Sequence, residues 1–248
     1  MSSLAVQMWG MVRRPRATFA AILPSRPWAA VLLATTTITF LCSAGFLRTD
    51  VGRQALVDQW ERTATAFGQT VDDESYARME VRAADGGIGL LYAAGTALAY
   101  GPLLAMAVAG ALFLVMRRGG TDSPARQSSE SEVGPGPRFI ELLTIASYST
   151  VIFALRQVIA TPIYYVQESI ASPTTLVRLF GSLDEASPVA RFLGVIDLFV
   201  VWWIVVLAIG VSVLSRRPTR RLALAFTGAY VVLALLAALA MAVSGGTA

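Results

Sequence analysis

The 248-residue chain contains no histidine, no lysine, no asparagine and a single cysteine, Cys42. Without imidazole and with one thiol, the usual nitrogen and sulfur ligand sets for zinc, haem or iron–sulfur centres cannot be assembled. The same absences exclude a disulfide framework and asparagine-linked glycosylation. All 20 basic residues are Arg. The missing residue types have AT-rich codons and the chain is rich in Ala, Gly, Arg and Val, a coding bias that points to a GC-rich, bacterial gene. Charge is scarce as well. Only 15% of residues are charged, against roughly 25% in an average soluble domain. With 55% hydrophobic residues and a mean hydropathy of +0.61, the chain is not an ordinary water-soluble globule.

The apolar residues fall into five runs: Trp28–Leu47, Ile88–Met116, Phe139–Tyr164, Phe192–Leu214 and Leu222–Val243. Each is long enough to cross a hydrocarbon core about 30 Å thick, which takes roughly 18–20 helical residues. The expected fold is therefore all-α, an integral membrane bundle of five transmembrane helices with short amphipathic surface helices. It forms a single membrane domain over residues 1–248. The lipid bilayer is its first partner, and the net charge of +4 reflects orientation in the membrane, with no nucleic acid as partner.

Arg alternates along the connecting segments. The N-terminal segment holds Arg13, Arg14, Arg16 and Arg26 without an acid, 117–138 holds four Arg, and 215–221 holds four without an acid. Segment 48–87 has five Arg against eight acids, and 165–191 two against three. The positive-inside rule then places the N-terminus, 117–138 and 215–221 in the cytoplasm and the C-terminus outside, in a bacterial cytoplasmic membrane. No signal-peptide pattern precedes the first span, which reads as an uncleaved signal anchor.

Between the spans, Leu4, Met8, Met11 and Val12, then Phe19, Ile22 and Leu23, predict two short amphipathic pieces lying on the cytoplasmic surface with Arg against head groups; the alternative is a frayed tail. Val57, Trp60, Ala64, Phe67 and Val71 predict an amphipathic helix in the extracytoplasmic segment 48–87. Ser172-Pro173 and Ser187-Pro188 read as starts of a short helix bearing Leu176, Leu179, Phe180 and Leu183, and of the fourth span. Half of segment 117–138 is Gly, Ser or Pro, which predicts a flexible cytoplasmic linker.

Inside the spans, Ala93, Ala97, Gly101, Ala105 and Ala109 set small side chains on one face of the second helix. Such a stripe marks a helix–helix contact within the monomer, or else chance in an Ala-rich gene. Gly101-Pro102 predicts a kink, and Thr161-Pro162 a bend in the third span. The third span is the polar one. Glu141 is expected to pair with Arg138 at i−3. Arg156 lies roughly 12 Å inside Tyr164, and an ionisable group at that depth requires a partner. Asp197, placed inside the fourth span, is the candidate for a buried ion pair. Trp202 and Trp203 are expected near the midplane, packed on other helices.

Catalytic constellations fail one by one. Serine–histidine dyads and metalloprotease sites lack histidine, an aspartyl intramembrane site needs two intramembrane Asp, and no phosphate loop is present. The expectation is a protein with no catalytic residue, no cofactor and no metal, and so not an enzyme. Several short patterns resemble the Yip domain family of five-span membrane proteins. They are Pro15-Arg16-Ala17-Thr18-Phe19 before the first span, Ala146-Ser147-Tyr148-Ser149 in the third, and Asp197-Leu198-Phe199, Trp202 and Ala208-Ile209-Gly210 in the fourth. The resemblance implies five spans with a cytoplasmic N-terminus and marks Pro15, Phe19, Tyr148, Trp202 and Gly210 as motif positions. Eukaryotic relatives act in vesicle traffic with prenylated small GTPases, and this chain lacks their Asp-Leu-Tyr-Gly-Pro stretch. Some bacterial relatives accompany ABC-type exporters. The resulting expectation is a membrane scaffold or accessory protein bound to other integral membrane proteins, exporter subunits or itself. The alternative is a small permease or channel built on the polar third span. A permease needs a water path past Arg156, whereas a scaffold keeps that region dry.

Overall fold

A computed structural model describes residues 3–121, 138–175, 193–194 and 196–245. Its described helices are α1 (Leu4–Arg13), α2 (Pro15–Ile22), α3 (Trp28–Leu47), α4 (Asp50–Ala66), α5 (Asp73–Ala84), α6 (Gly86–Leu98), α7 (Leu104–Thr121), α8 (Phe139–Ser149), α9 (Val151–Gln167), α10 (Leu198–Ser215) and α11 (Thr219–Gly245). Five helical stretches are long and apolar enough to cross a membrane: α3, α6–α7, α8–α9, α10 and α11. The third, α8–α9, is the most enclosed, and α11 the least. Around α8–α9 stand α3, α7, α10 and the N-terminal helix α1, while α11 lies outside against α10.

Local chemistry explains most helix ends. The Ser3, Thr49, Asp72, Asp85 and Asp197 side chains each accept a hydrogen bond from the first turn of the helix that follows. At Asp72 the Ser75 donors hold the carboxyl below its ordinary pKa. Pro15 opens α2, where its missing N–H costs nothing. Arg216, in left-handed geometry, ends α10. Gly101-Pro102 produces more than a simple kink. Residues Ala99–Leu103 form a π-turn with Gly101 at φ −98°, ψ −105°, joining α6 to α7 as one bent span. A Cβ at Gly101 would collide with Thr36 Oγ1 of α3.

The structure corrects five readings of the sequence. First, α1 and α2 do not rest on a surface. Met11, Phe19 and Ile22 are fully buried in one cluster with Ile145, Tyr148, Ile152 and Val206. The Tyr148 hydroxyl donates to Gln7 Oε1 at 2.6 Å, some ten residues up α8, or roughly 15 Å along its axis. Of the large apolar residues of α1, only Val6 and Trp9 are exposed. Second, the helix of the fourth span begins at Leu198, with Asp197 as its cap, so Trp202 and Trp203 sit in its first two turns and not near its middle. Third, Glu141 Oε1 accepts from Arg26 Nη2 at 2.7 Å, 115 residues away, and only the backbone N–H of Arg138 reaches its other oxygen.

Fourth, segment 48–87 holds two helices, not one. The buried face of α4 is Gly52, Ala55, Leu56 and Val57, while Phe67 stands outside. Gly52 lies so close to the Phe46 carbonyl that a Cβ would overlap it, and Ala55 and Leu56 pack with Phe46 and Leu47 at the end of α3. Fifth, the expected linker starts later than 117, because α7 continues to Thr121. The rest of it to residue 137, the short helix bearing Leu176, Leu179, Phe180 and Leu183, the Ser187-Pro188 start and Phe192 lie outside the described residues.

Candidate functional site: a polar cavity around Arg156

Arg156 projects from α9, and its Nη2 lies 3.1 Å from Asp197 Oδ2, with side-chain exposures of 15% and 7%. Asp197 gathers further donors. Its Oδ1 accepts from the Phe199 N–H at 2.8 Å, and its Oδ2 from the Ser172 hydroxyl at 2.5 Å and the Thr174 hydroxyl at 3.0 Å. The Leu198 N–H donates to the Thr174 carbonyl at 3.1 Å, and the Asp197 N–H to the Tyr230 hydroxyl of α11 at 3.4 Å. The carboxylate thus ties together α9, the 172–175 segment and α10, and its peptide N–H adds α11. Arg156 is less completely satisfied. Its guanidinium carbon lies 5.9 Å from the Tyr100 ring centroid, and its Nε is buried without an acceptor.

Beside this pair lies a cavity of about 360 Å³. Tyr92, Thr96 and Tyr100 of the second span form one wall, and Arg156, Gln157 and Tyr164 of the third another. Ser43 and Phe46 of α3, Gln59 of α4, and Ile170, Ala171, Ser172 and Thr175 also line it. Gln157 Nε2 donates to Ser43 Oγ at 3.1 Å, which fixes that side. Below Arg156, Phe153 stacks between Tyr100 at 5.6 Å and Trp203 at 5.3 Å between ring centroids. Further along the third span come Tyr148, Val151 and Ile152, all buried. Of these packed groups only Tyr100 lines the cavity. It is a binding pocket in form, and among the described residues no three His, Cys, Asp or Glu side chains gather to hold a metal ion.

The other sequence candidates fall in two places. Phe19 and Tyr148 share one buried cluster, where a Cβ on Gly210 would stand 2.5 Å from Ile145 Cγ2 and 2.9 Å from Phe19 Cζ, while Pro15 opens the helix that carries Phe19. Trp202 packs against the same cluster, its ring 5.9 Å from that of Phe199. Ala93, Ala97, Gly101, Ala105 and Ala109 are all buried within the bundle. Ala93 packs near Leu47 and Tyr164, and Ala105 and Ala109 near Leu32, Leu142 and Ala146. Sequence reasoning missed Gln7, Ser172, Thr174, Tyr230 and the three cavity tyrosines. Tyrosines in apolar spans resemble interfacial anchors, and that ordinary explanation conceals a pocket.

Five spanning helices, the polar third one the most enclosed, with a capped ion pair beside a pocket, define a multi-pass α-helical membrane protein. The model of the Yip1 domain family matches residues 9–241, nearly the whole chain, and the chain belongs to that family. No curated protein and no solved structure is significantly similar to it.

Proposed function

We propose that this protein is a non-enzymatic membrane scaffold or accessory subunit that associates with other integral membrane proteins, ABC-type exporter subunits or further copies of itself among them. The observation that supports this reading over a permease is the packing of Phe153 between Tyr100 and Trp203 next to Arg156. A transporter of this size ordinarily lines a midplane site with several broken or polar helices; here the polar groups meet at one end of the bundle. The exposed Phe67 and Val81, at the ends of α4 and in α5, offer apolar contact beyond the spans themselves. The test is to reconstitute the purified protein alone into liposomes and, separately, to crosslink it in native membranes. Association predicts no solute or ion flux and a reproducible copurifying membrane protein. Flux that depends on Arg156, with no copurifying membrane protein, overturns the reading in favour of the permease.

The proposed location is a bacterial cytoplasmic membrane, with the Arg-rich face inward. In a Cys42→Ser background, Thr70→Cys is expected to react with an impermeant thiol reagent in intact cells. Ser128→Cys and Arg220→Cys are expected to react only after permeabilisation. Labelling of Ser128→Cys in sealed cells reverses the orientation.

A further inference from the structure

We propose that the cavity beside Arg156 binds the phosphate-bearing headgroup of a phospholipid, which enters from the bilayer and leaves its acyl chains there. The inference is independent of the association reading and rests on the balance of donors and acceptors in the cavity wall. Among the described residues, none of the hydroxyls of Tyr92, Tyr100 and Tyr164 hydrogen-bonds to a protein group, although all three line the cavity. The neighbouring polar groups are already committed: Thr96 donates to the Tyr92 carbonyl, Gln157 to Ser43, and Ser172 to Asp197. Arg156, with one nitrogen on Asp197 and its Nε without an acceptor, adds further donor capacity. The wall therefore presents free hydroxyls and the Arg156 guanidinium and holds no carboxylate among its described residues, while the neighbouring Asp197 is turned onto four donors of its own. A pocket of that kind selects an acceptor-rich, oxygen-bearing group, and a phosphodiester offers two unesterified oxygens to such a set.

Size and position favour a lipid as the source. About 360 Å³ lies at the small end of ligand pockets and suits a headgroup, not a whole amphiphile. Tyr100 lines the cavity, is 41% exposed and lies in the middle of the bent second span. Leu98 and Leu103, on either side of it in sequence, are exposed apolar residues of the kind that face acyl chains. A headgroup can enter beside Tyr100 while its chains remain in the bilayer. Phosphate in water offers the same chemistry without the chains, so the two sources are separable.

The test measures thermal unfolding of the purified, delipidated full chain in mixed micelles with phosphatidylglycerol, with diacylglycerol of the same chains, or with inorganic phosphate. A saturable rise in Tm with phosphatidylglycerol and none with diacylglycerol is expected. Arg156 variants are poor reporters, because that residue also holds the fold. Tyr100→Phe and Tyr164→Phe remove only hydroxyls that no described protein group uses. They are expected to leave the lipid-free Tm unchanged and to weaken phosphatidylglycerol binding roughly tenfold each. Equal stabilisation by diacylglycerol, or unaltered binding in both Phe variants, overturns the proposal. A response to inorganic phosphate that matches phosphatidylglycerol overturns the lipid source while retaining the oxyanion site.

Discussion

Replacing Arg156 by Met or Asp197 by Asn is expected to destabilise the folded protein by roughly 3–5 kcal/mol each, because either change leaves a buried charge without its partner. The double variant is expected to lose clearly less than the sum of the two. The reason is geometric. The pair is 3.1 Å apart and mostly enclosed, at 15% and 7% side-chain exposure, so water screens it poorly. Asn at 197 keeps an oxygen for the Phe199 N–H and hence the cap of α10, which separates loss of the charge from loss of the cap. Asp197 retains three donors when Arg156 is removed, so the Arg156 variant belongs at the lower end of the range. The measurement is reversible unfolding of all four proteins in one detergent. Additive single losses mean that the two residues do not interact.

The second large effect is expected at Phe19. Phe19→Ala empties a fully buried site between Ile145 and Gly210, and a Phe-to-Ala change in a core costs about 3–5 kcal/mol. The loss is expected to concentrate in the N-terminal pair of helices, since Phe19 and Ile22 are the two buried side chains of α2. Protease cleavage near Arg13 and Arg14 is expected to accelerate before the bundle itself unfolds. The complementary variant, Gly210→Ala, adds a methyl group where Ile145 Cγ2 and Phe19 Cζ already stand at 2.5 and 2.9 Å. It is expected to cost about 1–3 kcal/mol by overpacking. Combining it with Phe19→Leu, which withdraws the ring, restores part of that loss. If Phe19→Ala leaves both Tm and cleavage unchanged, α1 and α2 do not dock in the bundle.

Hydropathy alone determined the membrane class of this protein, its five spans and the ends of the first. These depend on chain length against bilayer thickness and on the cost of unpaired backbone in hydrocarbon, both properties of a single segment. Gly101-Pro102 announced the bend in the second span for an equally local reason, a missing N–H beside a residue without Cβ. Arg156 was legible as a residue in need of a partner, because an ionisable group among apolar residues is costly wherever the neighbouring helices stand. What surrounds it was not legible. Asp197 proved to be a cap and not a residue inside the span, and nothing in the patterns around Ser172, Thr174 or Tyr230 marked them as reaching it. The course of α1 and α2 was equally hidden, since the same amphipathic pattern suits a membrane surface or a groove between helices. The choice turned on Gly210 leaving room for Phe19, and on Gln7 lying within 2.6 Å of the Tyr148 hydroxyl. Such matches join residues more than a hundred positions apart, and complementarity of shape and hydrogen bonding exists only once both surfaces are folded. The cavity is the extreme case. It is the space left where four helices and a loop fail to meet, and no single segment encodes it.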